Sequence, residues 1–254
     1  MRYALAAAFA AGAMMSAAAA QEACKLATIG AGGVAAVRDG RTLTLRDGRE
    51  LRLAAIETPG TAQAETARAA LATLASGSEL TLKRLGTNDS DRYGRVVAFA
   101  FPAGGAHSLQ QALLEQGLAR VSGRIGDKAC ADALLGSERA ARAAARGLWS
   151  DPNFAPLPAE HLAQLAAERG HFALVEGKVL SVRESGSTIY VNFGRRWTRD
   201  FTVIVAARQK RAFAAAGVEP KALEGKRIRV RGWIEQRGGP VIEAAAPEQI
   251  EFIN

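Results

Sequence analysis

Short apolar blocks cut by turn-forming pairs dominate the first part of the chain. Residues 34–37, 42–45 and 50–56 alternate or run apolar, and Asp39-Gly40 and Asp47-Gly48 stand between them. Asp-Gly supplies the backbone conformations a tight hairpin needs, so the three blocks predict a meander. Residues 61–75 carry Ala and Leu at helical spacing up to Gly77, which predicts a helix with a glycine stop. Two further strands are predicted over 79–85 and 96–101, and helices over 108–116 and 131–146. Five short strands with a helix after the third describe a small OB-type barrel.

Residues 151–158 contain three prolines and little apolar content, and 160–170 reads as a short helix that continues them. Beyond them the strand pattern returns at 172–182, 188–193 and 201–205, followed by a helix at 209–216 and strands at 226–235 and 240–244. That order repeats the first unit. The fold class expected is therefore β-rich α+β: a five-stranded OB-type barrel with helices, then a second, smaller OB-like domain. The expected boundaries are 21–150 for the first domain, 151–170 for a linker and 171–254 for the second domain.

Composition narrows the setting. Residues 1–20 hold one early Arg2, an apolar Ala/Met/Phe run and Ala18-Ala19-Ala20, the pattern of a secretory signal peptide; a membrane anchor or a lipoprotein signal is the alternative. No later segment is long and apolar enough to span a bilayer, so a periplasmic or secreted protein with no membrane insertion after signal removal is expected. Two cysteines, Cys24 and Cys130, follow that segment. In an oxidising compartment an even pair reads as one disulfide, with two free thiols as the alternative. The formal net charge is +8. Both strand-rich units are basic and the joint between them is not, a balance that favours polyanions such as nucleic acid.

Three short stretches carry most of the chemical information: Val37-Arg38-Asp39-Gly40-Arg41-Thr42, then Arg52-Leu53-Ala54-Ala55-Ile56-Glu57-Thr58-Pro59-Gly60, then Asp91-Arg92-Tyr93-Gly94-Arg95. Their order and separation resemble the secreted thermonuclease family, the staphylococcal-nuclease-like phosphodiesterases, whose pattern is V-x-D-G-D-T, R-L-x-x-I-D-T-P-E and D-R-Y-G-R. Leu148-Trp149-Ser150 closes the unit as Gly-Leu-Trp does in that family. The resemblance implies an OB-type barrel and a phosphodiesterase site in which calcium, held by two carboxylates and a threonine carbonyl, positions water. A glutamate assists that water, and two arginines bind the phosphate.

Carried over position by position, the resemblance implies Arg52 and Arg95 as the phosphate-binding pair, Glu57 as one calcium carboxylate and Thr58 as the carbonyl donor. The other carboxylate falls on Arg41 and the general base on Gly60. Calcium requires six to eight oxygens and carboxylate charge, so Glu57 beside Arg41 argues against the family mechanism. No cofactor is then expected, unless Asp39, Glu57 and Thr58 still form a divergent Ca²⁺ site. What remains is an anion clamp of Arg41, Arg52 and Arg95. The plainer readings are that Arg52 pairs with Glu50 or Glu57, that Arg95 only steadies Asp91, and that Arg41 only neutralises Glu57.

In the second unit Arg195, Arg196, Trp197 and Arg199 lie near Tyr190, Phe193 and Phe201. Single-strand binders combine stacking aromatics with a basic groove, which makes this stretch a candidate contact; the alternative is that Tyr190 and Phe201 face the core. His107, His161 and His171 show no metal or catalytic spacing. The leading expectation is a nucleic-acid or polyanion binder with little or no hydrolysis. A divergent calcium nuclease, and an envelope scaffold that takes a protein partner through its second domain, are the alternatives.

Overall fold

The computed structural model of the chain describes residues 24–60 and 63–253. The expected signal segment lies outside the described residues, as do the first two positions of the helix expected at 61–75. The first unit is a closed barrel in the order β1-β2-β3-β6-β5, formed by β1 (Ala27–Asp39), β2 (Thr42–Leu45), β3 (Glu50–Leu53), β5 (Glu79–Arg84) and β6 (Val96–Pro102). A short β4 (Ile56–Glu57) pairs separately with β7 (Arg120–Val121).

Closure depends on β1 serving both ends of the sheet. Its first half pairs with β5 from Ala27 to Gly33, and its second half pairs with β2 from Val34 to Asp39. The bend falls at Gly30-Ala31-Gly32-Gly33, where a Cβ on Gly32 would come within 3.0 Å of the Leu45 side chain. Glycines at a barrel corner let the strand bend and the neighbouring strand approach closely.

Alternate residues of the strands fill the barrel. Leu43, Leu45, Leu51, Leu53, Leu80 and Leu82 are all buried, together with Ala67 and Leu71 of α1 (Gln63–Ala75). The next helix, α2 (Leu109–Glu115), begins with a capping box in which Ser108 and Gln111 satisfy each other's backbone N–H groups. Its buried Gln110 accepts from the Ala100 N–H at 3.2 Å and donates to the Ala98 carbonyl at 2.9 Å, so the backbone of β6 satisfies a polar side chain in the core. Asp127 caps α3 (Lys128–Ala143) through the Cys130 N–H at 2.9 Å. Cys24 and Cys130 form the expected disulfide. It closes a loop of 106 residues, which the chain-entropy model values at about 4–5 kcal/mol.

Residues 151–170 are packed rather than a bare tether. β8 (Leu157–Pro158) adds in parallel to β9 (Phe172–Lys178), and α4 (Leu162–Ala167) buries Leu165. The second sheet runs β10-β11-β12-β14-β13-β9-β8, with β10 (Ser181–Ser185), β11 (Thr188–Asn192), β12 (Thr202–Ala206), β13 (Arg227–Arg237) and β14 (Gly239–Glu243). The single strand expected over 172–182 is two strands, β9 and β10, turned at Val179-Leu180. Because β9 leads straight into β10, the order repeats that of the first barrel, including the parallel pair of β3 with β6, which β12 with β14 matches; the parallel β8–β9 pair is additional. The segment expected to be helical over 209–216 forms α5 (Lys210–Ala215). A final strand not read from the pattern, β15 (Ile250–Phe252), lies on β13. No helix among the described residues is long and apolar enough to cross a membrane.

One buried charge cluster joins the two units. Arg231 of β13 is wholly buried and donates to both carboxylate oxygens of Glu138 on α3, at 2.8 and 3.0 Å. It also pairs with Glu251 of β15 and donates to the Val121 carbonyl at 3.0 Å. Glu138 in turn accepts the Val121 N–H at 2.6 Å and an Arg142 N–H at 3.1 Å. A strand of one unit is thus fastened to a helix and strand of the other through a pair, Arg231 and Glu138, that is wholly buried.

Candidate functional site

The turn between β1 and β2 brings the first signature to the barrel's rim. Asp39 Oδ1 accepts the Arg41 backbone N–H at 2.8 Å, a local bond that favours a turn. Gly40 is demanded by crowding: a Cβ there would lie 2.8 Å from the Ala67 Cβ and 3.2 Å from the Thr58 side chain. The turn is thereby pressed against the segment that carries the second signature. Ala55, at φ 65°, swings the chain out of β3 into Ile56 and Glu57, a conformation that costs a residue with a Cβ about 1–3 kcal/mol.

Arg41 crosses this gap. Its Nη1 forms an ion pair with Glu57 and donates to the Ile56 carbonyl at 3.1 Å, and both side chains are mostly buried. The plain reading of Arg41 as the neutraliser of Glu57 therefore describes its contacts. Thr58 and Gly60 follow in the loop. Gly60 is exposed and a Cβ there would meet nothing within 4 Å.

Arg52, on β3 opposite Thr42, is half-buried, and among the described residues its guanidinium has no hydrogen-bond or ion-pair partner. It does not pair with Glu50, which contacts Arg38 at 3.3 Å, nor with Glu57. Burial makes its protonated form less favourable, and the neighbouring positive charges of Arg41 and Arg95 push in the same direction, against the opposing pull of Glu57 and Asp39. A cation partly stripped of water among like charges is a good place for an anion.

Arg95 is engaged at home. Its Nε and Nη2 lie 2.8 and 2.7 Å from Asp91 Oδ2, while Asp91 Oδ1 accepts the backbone N–H groups of Tyr93 and Arg95. Burial works to raise the Asp91 carboxyl, but these bonds outweigh it and hold the group below its ordinary value. Arg95 also lies 5.2 Å from the Tyr93 ring. Arg41, Arg52, Arg95, Asp39 and Glu57 are thus gathered at one rim, with Arg52 the member free to take a ligand.

Next to this rim a cleft of about 370 Å³ runs between the two units. Arg41, Glu57, Thr58 and Gly60 line it, together with Phe154, Phe172, Trp233 and Arg120. None of these last four was singled out by the sequence. A lone Arg or Phe inside a strand carries no local sign that it will face a gap between domains.

The Arg195–Arg199 stretch lies elsewhere, in the loop between β11 and β12. Trp197 is 71% exposed and borders a separate hollow with Tyr190, Thr202 and Arg237. Phe201 is buried against Phe193, as the plain reading had it, while Tyr190 lines the hollow. The histidines are dispersed. His107 lies near Glu115, His161 near Gln164 and His171 near Glu168. Cys24, Cys130 and Asp127 place ligand-type atoms within 4.8 Å of one another, but the two sulfurs are bonded together and Asp127 caps α3, so this grouping is structural.

No curated protein matches the chain. The family model described as "Staphylococcal nuclease homologue" matches residues 50–151, from β3 through the turn that follows Trp149. The turn bearing Asp39 and Arg41 precedes the matched segment. With the closed barrel and the gathered signature residues, the match shows that this chain carries a staphylococcal-nuclease-like domain.

Proposed function

We propose that this is an exported protein that binds nucleic acid or a related phosphodiester polyanion, and that its nuclease site no longer hydrolyses efficiently. The observation that carries the reading is the Arg41–Glu57 ion pair. A guanidinium holds the one surviving carboxylate that the resemblance assigns to calcium, and one oxygen of Asp39 accepts the turn's Arg41 N–H. Calcium needs several free oxygens with net negative charge, so this donor set does not fit the ion. Gly60 offers no side chain where the family's base belongs. Loss of a general base alone removes about 10²–10⁴ in rate.

Binding is what the remaining groups favour. Arg52 is unpaired among the described residues, Arg41 and Arg95 stand beside it, each in an ion pair, and the exposed Trp197 among Arg195, Arg196 and Arg199 offers a second contact of the stacking-and-phosphate kind. Export is supported by the disulfide, which belongs to an oxidising compartment.

The test is binding of a labelled single-stranded oligonucleotide over a salt series. Affinity should fall as salt rises, because each phosphate contact releases condensed counterions. Arg52→Gln should lower affinity about tenfold, the worth of one charged hydrogen-bonding contact, and flatten the salt slope by close to one contact. Binding indifferent to salt, or unchanged in Arg52→Gln, would defeat the reading.

A further inference from the structure

Among the described residues two arginines are buried, in very different circumstances. Arg231 is surrounded by carboxylates. Arg120, on β7, is only 9% exposed, yet its side chain has no hydrogen bond or ion pair among the described residues, and its Nε is fully buried without a partner. Its guanidinium lies 5.7 Å from the Phe154 ring and 5.2 Å from the Phe172 ring. Aromatic faces attract a cation but give its N–H groups no acceptor. A buried charge without a partner is costly, and its persistence requires a reason.

The cleft provides one. Arg120 lines it; of the carboxylates on the same lining, Glu57 is held by Arg41, and Glu168, 3.6 Å from His171, makes no hydrogen bond or ion pair with Arg120. Trp233 also lines the cleft, edge-on to Phe172 with ring centres 6.1 Å apart, and is 48% exposed. A volume of about 370 Å³ is within the range of small-ligand sites. Among the described residues the Arg120 side chain lacks an acceptor, and the half-exposed Trp233 ring offers a surface on which a base can stack.

We propose that the cleft between the two units is a nucleotide site, with a phosphate held by Arg120 and the base stacked on Trp233. For the class of ligand this rests on the polyanion reading above. The shared chemistry is an aromatic base bearing a terminal phosphate, either a free mononucleotide or the end of a strand that continues along the Arg52 rim.

The experiment is calorimetric titration of the full chain with adenosine monophosphate, adenosine and inorganic phosphate. The monophosphate should bind at least tenfold more tightly than either fragment. Arg120→Gln and Trp233→Ala should each weaken it tenfold or more, with Trp233→Phe restoring most of the affinity. Where Arg120→Gln does not fold, the half-exposed Trp233 variants decide alone. Competition by a 5′-phosphorylated oligonucleotide, absent with its unphosphorylated form, would assign the site to strand ends; absence of competition by either would assign it to free mononucleotides. No heat from adenosine monophosphate at millimolar concentration, phosphate alone binding as tightly, or full affinity in Trp233→Ala would overturn the proposal. Such failure with salt-dependent strand binding intact would sink this site alone, whereas monophosphate binding without strand binding would sink only the strand reading.

Discussion

Calcium-dependent cleavage of DNA is expected to appear in the Arg41→Asp, Gly60→Glu double variant, at least about 10² above the native protein. The physical argument is local. Removing the Arg41 guanidinium frees Glu57 and puts a second carboxylate opposite it, which turns a neutral pair into a dianionic site suited to calcium. Gly60 has ordinary backbone geometry and open space around its missing Cβ, so a glutamate fits there without strain. Glu57 is one methylene longer than the family's aspartate, and adding Glu57→Asp should raise the rate further.

A second readout separates site formation from turnover. Two facing carboxylates repel, so the double variant should be less stable without calcium and regain stability with it, by about 2.7 kcal/mol at a hundredfold excess over the dissociation constant. The native protein should show no calcium-dependent shift. Digestion by the native protein that is abolished with chelator would show that Arg41 does not block the site.

The largest loss of stability is expected from Glu138→Gln, about 3 kcal/mol by loss of charge in a fully buried pair. Arg231 would keep Glu251, which holds the expectation at the low end of the range for breaking a buried ion pair. The drop in melting temperature should be several degrees, since each kcal/mol moves it about 2–4 °C in a chain of this size. Lys128→Gln, in an exposed pair with Asp132, should change stability by less than about 0.5 kcal/mol. Replacing Glu138, Arg231 and Glu251 together by apolar residues is not the neutral exchange seen for some buried triads. It would strip the Val121 N–H and carbonyl of their partners as well. Equal melting temperatures for native protein and Glu138→Gln in calorimetry would contradict this account.

Acid should act on the same cluster. Burial works to raise the Glu251 carboxyl, but the charge and hydrogen bond of Arg231, aided by Arg229, outweigh it and hold the group below the 4.5 of an unfolded chain. A depressed carboxylate contributes stability that is present above that value and is lost as pH falls through the folded one. Melting temperature should therefore decline below pH 4.5, and the decline should be shallower in Glu251→Gln.

The elements of the first barrel were legible because they are local. Asp47-Gly48 turns the chain with Gly48 at φ 87°, Asp39 ties its turn through the Arg41 N–H, and Leu43, Leu45, Leu51 and Leu53 alternate with the strand period. The disulfide was legible because two cysteines have one pairing. The departures at Arg41 and Gly60 could be read from residue identity alone. What Arg41 touches could not, because Glu57 lies sixteen positions away and meets it only once Gly40 is pressed onto Thr58 and α1.

Residue order alone thus determined the barrel pattern, the signature positions and the sign of the charge where a metal ligand was expected. Only the tertiary structure decided which arginines are spent and which are free. Arg95 is held by Asp91, Arg41 by Glu57 and Arg231 by Glu138, while Arg52 and Arg120 have no such partner among the described residues. The reason is that ion pairing and burial depend on distances between segments far apart in the chain. An arginine has the same sequence signature whether it lies in water, in a salt bridge or in a cleft between two domains.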